Sequence, residues 1–258
     1  MATTVYIQPG TGSGSGTLAS PYFYSELATA ETVAGSGGTI LFTDGTYNNA
    51  GNFDASGVIY QSLNYKEAVV TGAQLTIGSS GGNSVTVKNF KITTADRTDV
   101  FGSATIVQNC HFEYDNINYG VWFRAAIADF SNNVYINNLT SSANFIGSPG
   151  NAAIFSGNTV FIKGINGRPT ASVGNNAPDF SGSNTIKNNI FSSDDTANNV
   201  ISESISTHTN NCCFHQFGSS NTSGGTNNKF EDPLFVDSTN GDYRLRPTSP
   251  CINAGTAS

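Results

Sequence analysis

The stretch FSNNVYI, residues 130–136, sets two asparagines between short apolar runs, and its form returns five more times. The others are VKNFKI (87–92), VQNCHF (107–112), FSGNTVFI (155–162), IKNNIF (186–191) and HTNNCCF (208–214). Aligned on Asn89, Asn109, Asn133, Asn158, Asn189 and Asn211, they step by 20, 24, 25, 31 and 22 residues. Two earlier stretches, GGTILFTDGTYN (37–48) and VVTGAQLTI (69–77), read as coils without that asparagine. A period of about 20 to 25 residues, built of short strands with no helix between them, points to a β-solenoid. Each coil lays its strands about 4.8 Å from those of the coil before, and inward side chains stack on their equivalents. An asparagine at a fixed turn tolerates left-handed backbone. Its amide can also bond the equivalent amide one coil on, so the six asparagines are expected to form a ladder. The longest step holds residues 164–184, the expected loop excursion.

Composition agrees. Only 11% of the 258 residues are charged, with 18 acidic against 11 basic side chains and a net charge of -7. Nothing in that balance recruits DNA, RNA or an anionic membrane surface. Asparagine numbers 31 and glycine 28, and with Ser and Thr they cover the surface. These are poor helix formers, whereas the recurring Val, Ile, Thr, Phe and Tyr suit strands. Aromatics at 11% supply enough apolar surface to set disorder aside. The opening MATTVYIQPG has neither the basic start nor the apolar run of an export signal. No segment approaches the ~20 apolar residues of a membrane span. A protein used inside a cell, or in a particle assembled in a host cytoplasm, is the expectation.

A solenoid exposes its end coils and needs caps. A short helix is predicted from about Ser25 to Ala34, with Ser25 as N-cap and Leu27, Ala30 and Val33 or Ala34 on its apolar face. At the other end, DPLFVDSTNGDYRLRPTSPCINAG (232–255) combines turn formers with apolar residues and reads as the second plug. The chain is read as one domain, 1–258. Residues 1–48 form the N-terminal cap and first coil, 49–230 the coils, and 231–258 an irregular C-terminal cap.

Both ends carry a resemblance. VYIQPGTGSGSGTLASPYFYSELATAETVAGSGGTILFTDGTYN and EDPLFVDSTNGDYRLRPTSPCINAG resemble the opening and closing segments of right-handed parallel β-helix proteins of the pectate-lyase-like superfamily. With the coils between, the resemblance spans the chain. It implies an all-β, single-stranded right-handed parallel β-helix with a capping helix. That superfamily includes polysaccharide lyases, glycoside hydrolases, surface proteins, and phage tailspikes and other virion components.

Catalytic groups are sparse. Lyases of this fold hold Ca²⁺ on clustered acids and use Lys or Arg as base, and hydrolases use clustered aspartates. Here Asp194 and Asp195 are adjacent, and neighbours on a strand point to opposite faces. His111, His208 and His215 read as ordinary surface or turn residues. GTGSGSG (10–16) lacks the lysine and helix of a phosphate loop and reads as a flexible loop. No C-x-x-C pair marks a metal site, and Cys110, Cys212, Cys213 and Cys251 are expected as reduced, mostly buried thiols. Alternation puts one of Cys212 and Cys213 inward and the other outward. Cys110 and Cys212, four coils apart, are expected about 19 Å from each other, beyond disulfide reach.

YGVWFRAA (119–126) is the candidate binding stretch. With Val121 and Phe123 inward, Trp122 and Arg124 point outward together. A Trp face suits a sugar ring, and an Arg fork suits a carboxylate or hydroxyls. Asp99 and Asp179 are expected on neighbouring coils of that face. Packing under a loop or subunit interface is the alternative role for Trp122, and a one-residue phase shift would bury it.

The leading functional expectation is a non-enzymatic virion component of a bacteriophage, a decoration, fibre or spike-like protein that also contacts host-surface glycans. Its partners would be other virion proteins or further copies of itself. The alternatives are a polysaccharide lyase or glycoside hydrolase, and a non-catalytic glycan-binding module. No cofactor is expected, and Ca²⁺ enters only with the lyase alternative.

Overall fold

The computed structural model describes residues 3–48, 51–79, 82–94, 97–102, 104–115, 120–124, 129–138, 146–147, 154–163, 185–193, 208–215 and 225–256. Their strands build three parallel sheets of ten, eight and five strands. The first sheet runs from Tyr22–Phe23 and Thr4–Gln8 through Thr39–Phe42 to His208–Thr209, the second from Gly45–Tyr47 to Cys212–His215, and the third from Asn52–Phe53 to Ile146–Gly147. Chain order visits the sheets in turn, so each coil lies beside the previous one. The fold is an all-β parallel β-helix with one short helix near its start.

Alternation explains the core. In the first sheet Val5, Ile40, Tyr60, Val87, Val107, Phe130, Phe155, Ile186 and His208 are successive Cα partners. All nine are buried. The second sheet supplies Tyr47, Val70, Ile92, Phe112, Tyr135, Val160, Phe191 and Cys213 in the same way. Like side chains one coil apart stack face to face, as Phe130 and Phe155 do at 5.3 Å and 7°.

The turn between the first and second sheets corrects the asparagine alignment. Two adjacent positions divide the work. The first is left-handed: Asn89, Asn109, Asn132, Asn188 and Asn210 have φ between 55° and 67°, and Gly157 has φ 66°. The second carries the buried amides. Asn133 and Cys110 sit side by side there, one residue after Asn132 and Asn109. Asn158 Oδ1 accepts from Asn133 N at 2.9 Å and Asn133 Nδ2 at 3.2 Å. The same pair of bonds links Asn158 to Asn189, Asn189 to Asn211 and Asn211 to Asn228. Each Nδ2 also donates to a carbonyl one coil back: Val107, Phe130, Phe155 and Ile186. The ladder is therefore Asn133, Asn158, Asn189, Asn211 and Asn228. Asn89 and Asn109 are turn residues outside it, because one asparagine cannot hold the exposed left-handed corner and the buried rung together.

The N-terminal cap follows the expected outline with a different start. A 3₁₀ turn, Tyr24–Glu26, leads into the helix Leu27–Ala34. Ala30 and Ala34 face the core, while Val33 is exposed. Glu26, not Ser25, does the capping: its Oε2 accepts from Phe23 N at 3.0 Å and from Gly14 N at 2.9 Å. That second bond pins the glycine-rich loop. A Cβ at Gly14 would lie 1.9 Å from the Pro21 carbonyl oxygen, so the close approach needs glycine.

The closing segment does more than plug an end. Phe235–Asp237 and Asp242–Leu245 form an antiparallel hairpin. Phe235 and Tyr243 pack on Phe161 at 6.1 and 5.1 Å. Phe161 faces outward, two strands in from the last strand of the second sheet. Thr256 N and O bond the Asn188 amide at 3.1 and 2.9 Å. The segment thus returns along the flank and covers an outward aromatic that water would otherwise meet. The last coil is met by Thr226 and Lys229, which bridge to Thr209 and Cys212.

Cys212 and Cys251 form a disulfide across this return, with Cα atoms 5.8 Å apart. This corrects the expectation of four thiols. Cys213 points into the core and Cys110 is buried, both free. Cys212 is the outward member of its pair, which places it under the returning chain.

Among the described residues no helix is long and apolar enough to cross a membrane.

Candidate functional site on the third sheet

The phase predicted for residues 119–126 holds at its inward positions: Val121 and Phe123 are fully buried. On the outer row Asn52, Thr76, Asp99, Trp122 and Gly147 are successive Cα partners. Asp99 and Trp122 are therefore neighbours one coil apart. The Trp122 side chain lies outside the described residues, as do Asp179, Asp194, Asp195 and the 164–184 excursion.

Asp99 is the centre of the described site. It is only 4% exposed although it points outward. Arg124 Nε donates to Oδ1 at 2.8 Å. Arg97 Nε and Gln74 Nε2 donate to Oδ2 at 3.1 and 2.6 Å. Three charged or amide donors on one buried carboxylate replace the water it has lost. Both arginine side chains keep about a third of their surface exposed, 29% and 33%. The carboxylate acts as a fixed post that holds two guanidinium groups at the surface of the sheet.

Arg97 and Gln74 were not singled out from the sequence, although a signal was present. Arg97 stands two residues before Asp99 and so shares its face. Gln74 and Arg124 stand 25 residues before and after it, one coil in each direction.

A divalent cation does not fit this centre. Asp99 already carries two guanidiniums, which would repel a cation and occupy its lone pairs. Among the described residues no group of three or more His, Cys, Asp or Glu side chains could hold a metal ion.

Two of the histidines expected at the surface are buried. His208 is 4% exposed, with Nδ1 2.9 Å from the Asn228 amide nitrogen, at the end of the inward row. His111 is 9% exposed on the outer face of the second sheet, with Lys66 Nζ 3.0 Å from its Nδ1. Burial lowers the pKa of both, with nearby Lys66 and Lys91 adding to the effect at His111. The His215 side chain lies outside the described residues.

The solved structures include a match over nearly the whole chain. The crystal structure of pectate lyase Pel9A superposes with a TM-score of 0.54, covering 99% of this chain and 92% of that one at 17% identity. The chain has the pectate-lyase-like parallel β-helix fold. No protein-family model matches it, and no curated protein matches it in sequence. At 17% identity the likeness speaks for the fold alone.

Proposed function

We propose that this chain is a non-catalytic β-helix that contacts acidic glycans through the outer face of its third sheet, and that it serves as a structural component of a bacteriophage virion. The observation that carries the glycan reading is the saturation of Asp99. The oxygens of Asp99 are taken up by donors from Gln74, Arg97 and Arg124, and the carboxylate fixes two partly exposed arginines on the outer face of the sheet, a positive pair that suits an anionic ligand. Trp122, the Cα partner of Asp99 on the next coil, is proposed to add a ring-stacking face, and Asp179 a further contact. The virion role is supported by the uncharged Asn, Ser, Thr and Gly surface. It is further supported by coils hydrogen-bonded on both sides, which suit a stiff particle component.

The test is a polysaccharide panel of uronate-rich and neutral glycans, with and without Ca²⁺. Binding would be followed by calorimetry, and cleavage by unsaturated-product absorbance and new reducing ends. Binding of acidic glycans without cleavage, weakened in Arg97→Ala and Arg124→Ala, is the expected result. Chain cleavage dependent on these residues would replace the reading with the lyase or hydrolase alternative. Recovery of the protein in purified particles tests the virion role.

A further inference from the structure

A second constellation of charge lies on the outer face of the second sheet, built by an enlarged turn. In the first sheet Gln61 is the partner of Lys88, and in the second Val69 is the partner of Lys91. Two residues, Asn89 and Phe90, join Lys88 to Lys91. Seven residues, 62–68, join Gln61 to Val69. The extra residues form a fixed structure. Leu63 N donates to Phe42 O at 2.8 Å, Asn64 Nδ2 to the two Asp44 oxygens at 2.9 and 3.0 Å, and Ala68 N to Ser62 Oγ at 3.1 Å. Lys66 N donates to Asn89 O at 2.7 Å. Lys66 itself has φ 66°, a left-handed backbone that asparagine or glycine takes at the other corners. A lysine in that conformation is strained, and strain kept in a pinned turn calls for an account of its side chain.

That side chain reaches across the next coil. Lys66 Nζ lies 3.0 Å from His111 Nδ1 and 4.9 Å from the centre of the Tyr65 ring. Among the described residues it has no carboxylate partner. The one carboxylate of the cluster, Glu113, is engaged elsewhere: its Oε2 lies 3.0 Å from Lys91 Nζ and 3.6 Å from His111 Nε2. Two ammonium groups thus share the field of one carboxylate, and among the described residues Lys66 is the one without a direct contact to it. Partial burial and the nearby Lys91 lower its pKa, and Glu113 offsets only part of that effect. Beside it Tyr65 and Leu63 are 54% and 40% exposed. A pinned turn, a cation without a direct carboxylate contact and an exposed aromatic together describe a recognition surface.

We propose that the 62–67 turn is a second binding site, for a carboxylate-bearing sugar whose anionic group pairs with Lys66 and whose ring rests against Tyr65 and Leu63. The site rests on the reading that the protein contacts acidic glycans, and it lies on a different sheet from Asp99, Arg97 and Arg124. Lys66 supplies the positive charge, His111 and the turn hold its ammonium in place, and Tyr65 supplies apolar contact for the C–H face of a sugar.

The experiment uses the full chain in which Arg97→Ala and Arg124→Ala have disabled the third sheet. A glucuronic-acid oligosaccharide, its carboxyl-reduced neutral counterpart and inorganic phosphate are titrated separately. Affinity is read by calorimetry, and the site by the His111 imidazole NMR signals. The acidic oligosaccharide should bind this double variant and shift the His111 signals. Adding Lys66→Gly, which suits the left-handed backbone, or Tyr65→Ala should weaken it by about 10-fold or more. The neutral counterpart should bind about 10-fold or more weakly as well. Melting curves verify that each variant is folded.

The proposal is overturned if the double arginine variant no longer binds the acidic oligosaccharide while the wild type does, which leaves the third-sheet reading standing. It is overturned if Lys66→Gly and Tyr65→Ala change nothing, or if phosphate matches the oligosaccharide in affinity and His111 shift. If Lys66→Gly in the otherwise wild-type chain abolishes all binding and the arginine changes do not weaken it, the third-sheet reading falls and this one stands.

Discussion

Asn158→Ala tests the division of labour at the asparagine turn. Asn158 is 1% exposed. Its Oδ1 accepts from Asn133 N and Nδ2, and its Nδ2 donates to Phe130 O and Asn189 Oδ1. Truncation leaves some of these groups with other partners. Asn133 Nδ2 keeps Val107 O, and Asn189 Oδ1 keeps Asn158 N. Asn133 N–H and the Phe130 carbonyl lose the amide inside the protein. At about 1–3 kcal/mol for each buried group left unsatisfied, the expected loss is about 2–6 kcal/mol. The control is the adjacent corner. Asn132 is exposed with φ 55°, so Asn132→Gly should change stability by less than about 1 kcal/mol. Asn132→Ala should cost about 1–2 kcal/mol through the left-handed backbone. Urea denaturation with matched m-values measures all three. If Asn158→Ala is no more destabilising than Asn132→Gly, the buried amides do not form a stabilising ladder and the two-position account is wrong.

Other outcomes follow from the same geometry. Alkylation of the unreduced, denatured protein should modify Cys110 and Cys213 only. Cys251→Ser should cost up to about 4 kcal/mol, because the bond closes a loop across 39 residues; labelling of all four cysteines would refute the pairing. The Glu113 carboxyl is held down at about 2 by its contacts with His111 and Lys91. Its folded-state value is depressed, so its contribution to stability is present above about 4.5 and lost as the pH falls toward 2. His111, lowered mainly by burial, adds a loss that begins as the pH falls through about 6.5, because the unfolded chain takes up the proton first. Melting temperature against pH should show both losses in the wild type, and only the upper one in Glu113→Gln. Asp99→Ala removes the carboxylate from two guanidiniums and should cost about 2–3 kcal/mol by denaturation, with weaker acidic-glycan binding. Phe155→Ala, in the inward row, should cost about 3–5 kcal/mol by the same assay.

Much of the β-helix was legible in the residues themselves. The strands recur at coil spacing, and alternation assigns Val107, Phe130 and Phe155 to the core without ambiguity. The same alternation placed Val121 and Phe123 inward, and Asp99 on the coil before Trp122. The asparagine register was not legible to the residue. FSNNVYI offers two asparagines, VQNCHF one, and the apolar pattern is satisfied by either alignment. Only the hydrogen bonds of Asn133 and the left-handed backbone of Asn132 tell them apart.

Local pattern and period are properties of neighbours in the chain and of neighbours one coil away. They determined by themselves that the chain forms a solenoid, which side chains fill it, and that a helix opens it. The Cys212–Cys251 bond, the hairpin lying on Phe161 and the meeting of Lys66 with His111 depend on how far a loop reaches and where a returning strand lands. Loop length closes at little entropic cost over many paths, so the sequence leaves those paths nearly equal. Packing against the finished sheets selects among them: the outward Phe161 needed cover, and the enlarged turn at 62–67 carried Lys66 across to His111.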